Sequence, residues 1–130
     1  MLINVLIVEK ESIISLDIKH KFKSMNCIVI ITSSGEEALK IIKNNKIDLV
    51  VMDTHLNGVL NGIETAIQIR NKLNIPIIYI SANSNLTTSE KLKQTRPYQL
   101  LIKPFDDSQI QIAINNCLMA IKLNEIQKNV

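Results

Sequence analysis

Aromatic side chains are nearly missing from this chain: no Trp, two Tyr and two Phe among 130 residues. Ile, Leu and Val must therefore fill any core, and there is no row of stacking platforms for single-stranded nucleic acid. Charge of one sign is lacking too. Fifteen Lys and Arg against twelve Asp and Glu leave a formal +3, dispersed along the chain. That is too mild for a grip on phosphate backbones, so nucleic acid is not an expected partner. No apolar run reaches membrane-spanning length, and residues 1–8 lack the basic start and long apolar region of a secretion signal. No membrane partner is expected. The only two cysteines, Cys27 and Cys117, lie far apart in apolar surroundings. They read as buried thiols in a reducing compartment rather than as a disulfide, which makes the cytoplasm the expected location. There is no glycine-rich phosphate loop, zinc spacing, Ser-His-Asp arrangement, linker or repeat. The remaining 46% hydrophobic and 21% charged composition suits one globular domain over residues 1–130.

What is present alternates. Short apolar, β-branched runs at 4–8, 27–31, 47–52, 75–80 and 99–102 read as strands buried on both faces. Between them lie helical patterns: one from Ser12, with Ile14, Ile18, Phe22 and Met25 at helical spacing, and one opened by Ser33-Ser34-Gly35-Glu36-Glu37. Others run from Asn61 to Lys72, from Thr87 to Gln94, and from Asp106 to about residue 127. Five strand–helix units with short connections predict an α/β fold, a doubly wound parallel sheet with helices on both faces.

The residues that follow these strands share a chemistry. Glu9-Lys10-Glu11 follows the first, Asp53 the third, Ser81 the fourth and Lys103 the fifth. In an open parallel sheet, ligands sit beyond the carboxyl ends of the strands. A carboxylate nucleophile at Asp53, a hydroxyl, and an ammonium to engage phosphoryl oxygens suit phosphoryl transfer, with acids nearby to hold a hard ion such as Mg²⁺.

On these residues the chain resembles the receiver domain of two-component response regulators. The motifs run from Val5-Leu6-Ile7-Val8-Glu9 through Asp48-Leu49-Val50-Val51-Met52-Asp53 and Gly62-Ile63-Glu64 to Lys103-Pro104-Phe105. The resemblance implies a flavodoxin-like strand order, 2-1-3-4-5, and a signalling role rather than a metabolic enzyme's. It implies that Asp53 accepts a phosphoryl group from a histidine kinase. Ser81 would be the switch hydroxyl and Lys103 the phosphate-binding lysine. Mg²⁺ would be held by Glu9, Asp53 and the backbone carbonyl of His55. Asn83 and Leu100 stand at modulating positions.

Three features depart from the family pattern. Lys10 replaces the second acid after the first strand, a two-unit charge change; it either turns to solvent or pairs with Asp53 and weakens metal binding. Glu11 is not expected to substitute, since neighbouring side chains point in different directions. Leu100 stands where a switching aromatic is common, and Tyr98 is a candidate replacement because it would share a strand face with Leu100. The loop from Thr54 to Gly62 is one residue longer than usual, leaving the place of Asn61 open. His20 reads as a surface residue, and His55 borders the site.

The expected function is a phosphorylation-dependent signalling module. Its output would be read by a downstream protein at the face of the fourth helix, fifth strand and fifth helix. The alternative is a pseudo-receiver, a docking or dimerisation module whose metal binding Lys10 impairs. A flavin carrier on the same fold lacks the phosphate loop it would need. In the last helix, Ile110, Ala113, Ile114, Cys117 and Ile121 are expected to pack on the sheet. A second stripe of Ile112, Met119, Leu123 and Ile126 suits a homodimer or a coiled coil continuing in a longer chain.

Overall fold

Runs of Ile, Leu and Val lie in the middle of the molecule because both faces of the sheet they form are covered. The computed structural model describes residues 2–128. Its strands are β1 (Asn4–Val8), β2 (Ile28–Thr32), β3 (Leu49–Asp53), β4 (Ile77–Ser81) and β5 (Gln99–Ile102). All pairings are parallel, in the order β2-β1-β3-β4-β5. The helices are α1 (Ser12–Lys23), α2 (Gly35–Asn44), α3 (Gly62–Arg70), α4 (Glu90–Gln94) and α5 (Asp107–Lys128).

The period of two along each strand divides the core. Val5, Ile7, Leu49, Val51, Ile78, Ile80 and Leu101 meet Ile18 and Phe22 of α1 and Ile110, Ile114 and Cys117 of α5. Leu6, Val8, Val50, Met52, Ile77 and Tyr79 meet Ala38 of α2, Ala66 and Ile69 of α3, and Leu92 of α4. Each fully buried Ile or Leu stabilises the fold by roughly 2 kcal/mol. Tyr79 is the one large polar-tipped residue in the second layer, and its hydroxyl pairs with Thr95 Oγ1 at 2.6 Å. Both cysteines are free and buried, as expected. Among the described residues no helix is long and apolar enough to cross a membrane.

Several boundaries differ from the sequence reading. β2 begins at Ile28 rather than Cys27, and β3 includes Asp53 as its last residue. β4 starts after Pro76, which has no N–H to donate but whose carbonyl accepts from Val50 at 3.1 Å. The helix expected over 87–94 is split into a 3₁₀ turn (Ser84–Thr88) and the short α4. Asn83 caps the turn and Ser89 caps α4, so two starts replace one. α3 stops at Arg70, two residues early.

The chain leaves β1 for β2 on one side and returns to β3 on the other. The crevice between the ends of β1 and β3 is therefore the topological switch point where such sheets bind ligands. Gly62 closes it from above. A Cβ there would overlap the Asp53 carbonyl oxygen, and its N–H donates to Thr54 O at 3.1 Å. Only glycine lets α3 start this close to the end of β3.

Candidate functional site

Lys103 organises the site. Its amide continues the ladder by donating to Ser81 O at 2.7 Å, which aims the side chain back across the sheet edge. The ammonium lies 2.9 Å from Glu9 Oε1, 2.9 Å from Glu11 Oε1 and 3.7 Å from Asp53 Oδ2. Glu9 and Asp53 are 2% and 1% exposed, so one cation serves two buried carboxylates and one at the rim. Glu9 Oε2 accepts from the Glu11 amide at 2.9 Å and Asp53 Oδ1 from the His55 amide at 3.0 Å. Glu9 Oε1 and Asp53 Oδ2 have no hydrogen-bond donor; the former is at ion-pair distance from Lys103 without hydrogen-bond geometry.

Crowding two carboxyls in a dry site has an electrostatic consequence. Burial, then the adjoining Asp53 carboxyl, push Glu9 up to about 7 against the opposing pull of Lys103 and the Glu11 amide. For Lys103, burial works against the charged form. The close ion pair with Glu9, the hydrogen bond to Glu11 and the charge of Asp53 outweigh it, and its affinity for the proton rises.

On the other side of the sheet edge lies a hydroxyl pair. Ser81 Oγ accepts from Thr54 Oγ1 at 2.7 Å and from the Asn83 amide at 3.0 Å. Thr54 was not singled out from sequence, although the strand register contains the signal. Asp53 lies opposite Ile80, so the next residues, Thr54 and Ser81, are neighbours on one face. A cleft of about 410 Å³ opens above both groups, with Lys10, His55, Asn61 and Asn83 among the residues on its walls.

The structure thus brings Glu9, Asp53, Ser81 and Lys103 together, with Asn83 bonded to Ser81. Glu11 reaches the same ammonium as Glu9, a contact the sequence reading did not anticipate. Lys10 is half-buried at the rim and, among the described residues, forms no ion pair with Asp53 or any other acid. Tyr98 does not stand in for an aromatic at Leu100. It precedes β5, at the far end of the sheet beside Pro76 and Ile121, whereas Leu100 packs in the second core layer. Asn61 is half of a capping box with Glu64, accepting from Glu64 N at 2.9 Å. His20 and His55 are both exposed.

The donor set fits a hard, oxygen-liganded cation, since two buried carboxylate oxygens lack a hydrogen-bond donor. Among the described residues no three His, Cys, Asp or Glu side chains form a metal cluster, so side chains alone would not complete a coordination shell.

A five-stranded parallel sheet in this order, with acids, a hydroxyl and a lysine gathered at its carboxyl edge, defines the receiver class. The family model described as response regulator receiver domain matches residues 5–115, and the chain belongs to that family. It is 30% identical to the transcriptional regulatory protein MalR of Bacillus subtilis, over 98% of this chain and 55% of that protein. It is 32% identical to the transcriptional regulatory protein PdtaR of Mycobacterium tuberculosis, over 85% of this chain and 54% of that one. The chain spans about half the length of these curated relatives. Among solved structures, the signal receiver domain of a modulated diguanylate cyclase from Desulfovibrio desulfuricans superposes with a TM-score of 0.81 at 28% identity. That match covers 95% of this chain and 99% of the other. The chemotaxis response regulator CheY4 of Vibrio cholerae shares the fold, with a TM-score of 0.81 at 19% identity, over 90% of this chain and 99% of that one.

Proposed function

We propose that the domain receives a phosphoryl group on Asp53 from the phosphohistidine of a histidine kinase and passes the change to a downstream protein. The observation that carries this reading is the free Asp53 Oδ2. Its partner oxygen is occupied by the His55 amide, while Oδ2 has no donor, is buried at the floor of the cleft and lies 3.7 Å from the Lys103 ammonium. Asp53 Oδ2 forms the new O–P bond as the P–N bond breaks, and the departing imidazole takes up a proton. Lys103, already beside that oxygen, neutralises charge on the transferred group. Glu9, Asp53 and the His55 carbonyl are the groups that would hold Mg²⁺, whose bound charge would offset that of the phosphoryl oxygens.

Ser81 supplies the readout. Its oxygen accepts from Thr54 and from the Asn83 amide, so any movement of the hydroxyl toward a phosphoryl oxygen would strain both bonds, and Asn83 caps the turn leading into α4. Release of that amide couples the site to the face of α4, β5 and α5, where a downstream protein would bind. A phosphohistidine donor and two free buried thiols fit a cytoplasmic setting.

The positive charge of Lys10 at the cleft rim favours the other reading, a docking module with weakened metal binding. Its lack of an ion pair with Asp53 supports the phosphoacceptor. Incubation with Mg²⁺ and a small phosphodonor should add one phosphoryl mass to the intact protein, and none to Asp53→Asn. Labelling that persists in the variant would refute Asp53 as the acceptor. An unlabelled wild type would favour the docking module.

A further inference from the structure

Two of the chain's three glycines follow an asparagine, and both lie in the loop between β3 and α3, as Asn57-Gly58 and Asn61-Gly62. An Asn-Gly step is chemically labile. The glycine nitrogen can reach the Asn Cγ and close a five-membered ring, with no Cβ to obstruct it. The two steps are alike in sequence and opposite in surroundings.

Asn61 is held. Its Oδ1 accepts from the Glu64 amide at 2.9 Å, and its main-chain carbonyl accepts from the Thr65 amide at 3.0 Å and the Thr65 hydroxyl at 2.7 Å. The Gly62 N–H donates to Thr54 O at 3.1 Å, and Gly62 is buried against the Asp53 carbonyl. For the Gly62 nitrogen to turn on Asn61 Cγ, the peptide between them must rotate and the start of α3 must unwind.

Asn57 is not held. It and Gly58 are exposed, and among the described residues neither the Asn57 side chain nor the Gly58 N–H has a hydrogen-bond partner. Gly58 has φ +104°, in the left-handed region that favours glycine. The stretch is anchored only to either side, by buried Leu56 and by the Leu60 amide, which donates to Glu36 Oε1 at 2.8 Å.

We propose that Asn57 is a site of spontaneous deamidation, and that the fold confines the reaction to Asn57 and spares Asn61. The Gly58 nitrogen bonds to Asn57 Cγ, the Cγ–Nδ2 bond breaks, and ammonia leaves with the proton from the Gly58 nitrogen. Water, the one co-reactant, then opens the succinimide. Cleavage on the Cγ side gives Asp. Cleavage on the side of the main-chain carbonyl gives isoaspartate, in which the chain runs through the former side chain and gains a methylene.

Either product carries a new negative charge. A Cβ on Gly58 would stand 3.2 Å from Glu36 Oε2, so the charge enters beside a carboxylate that already tethers the loop. Isoaspartate also lengthens the span between the Leu56 and Leu60 anchors, directly after His55 on the cleft wall. The reaction is independent of phosphoryl transfer.

Each hydrogen bond that must open first slows the attack roughly fivefold, so Asn61 should convert on the order of a hundredfold more slowly than Asn57. The whole chain is kept folded in warm, mildly alkaline buffer and mapped over time by peptide mass spectrometry. An isoaspartate methyltransferase labels the isoaspartate. Both sites fall in the tryptic peptide 47–70, so fragment ions compare them directly. Asp and isoaspartate should accumulate at position 57 while Asn61 stays an amide, and Asn57→Gln should remove the acidic form seen by ion exchange. In guanidinium chloride, without the fold, the two sites should convert at similar rates. Asn57 staying intact in the folded protein over the time it converts in denaturant would overturn the proposal. So would an Asn61 that keeps pace with Asn57 when folded, or that lags equally when unfolded.

Discussion

Glu9→Gln should stabilise the domain, and by an amount that grows with pH. Glu9 is an acid whose folded-state value of about 7 lies above its ordinary 4.5. Between those values the folded protein keeps a proton that the unfolded chain has released. Stability from this group is therefore fully present below about 4.5 and is lost as pH rises through about 7. At 1.36 kcal/mol per unit, the shift amounts to roughly 3 kcal/mol. Gln cannot ionise. It can still accept from the Glu11 amide, and its NH₂ group can serve the donorless Asp53 Oδ2. Lys103 keeps Glu11 and Asp53 as partners. Urea unfolding of both proteins in EDTA, at pH 5, 6, 7 and 8, isolates the effect. With a urea slope of roughly 1.5 kcal/mol per molar, the gap between the two midpoints should widen by about 2 M from the lowest to the highest pH. Two midpoints that move in parallel would refute the reasoning, since Lys103 and the Glu11 amide would then fully offset the burial of Glu9.

Lys10→Asp reverses two units of charge at the cleft rim and should tighten Mg²⁺ binding on the order of tenfold, with faster phosphorylation. Calorimetric titrations giving equal affinities would show that Lys10 has no electrostatic influence on the site. Thr54→Val keeps the shape but removes the donor that holds Ser81, a hydrogen bond of about 1 kcal/mol. The phosphorylated form should then decay roughly fivefold more slowly, because Ser81 has less to give up in reaching the phosphoryl group. An unchanged decay rate would show that the hydroxyl pair is no restraint.

Much of this protein is legible in the chain alone, because strand burial and helix amphipathicity are local. Apolar runs such as Leu49–Met52 must be covered on both faces, and the first charged residue after such a run falls at the sheet edge, which is how Asp53 and Lys103 are found. The two stripes of α5 follow from spacing in the same way, and the structure buries one and exposes the other. The split of α4 was less legible, since two weak caps at Asn83 and Ser89 compete within one polar stretch. Other features exist only once distant segments meet. Glu11 turns into the site because the ammonium that draws it comes from 92 residues away. Thr54 finds Ser81 through the register of β3 on β4, across 27 residues. The raised proton affinity of Glu9 depends on β1 and β3 lying side by side, where water is excluded and a second carboxyl is near. Residue types and their period decide which side chains arrive at the sheet edge. Coulomb interactions and solvent exclusion between strands far apart in sequence decide how those side chains pair and where their protons reside.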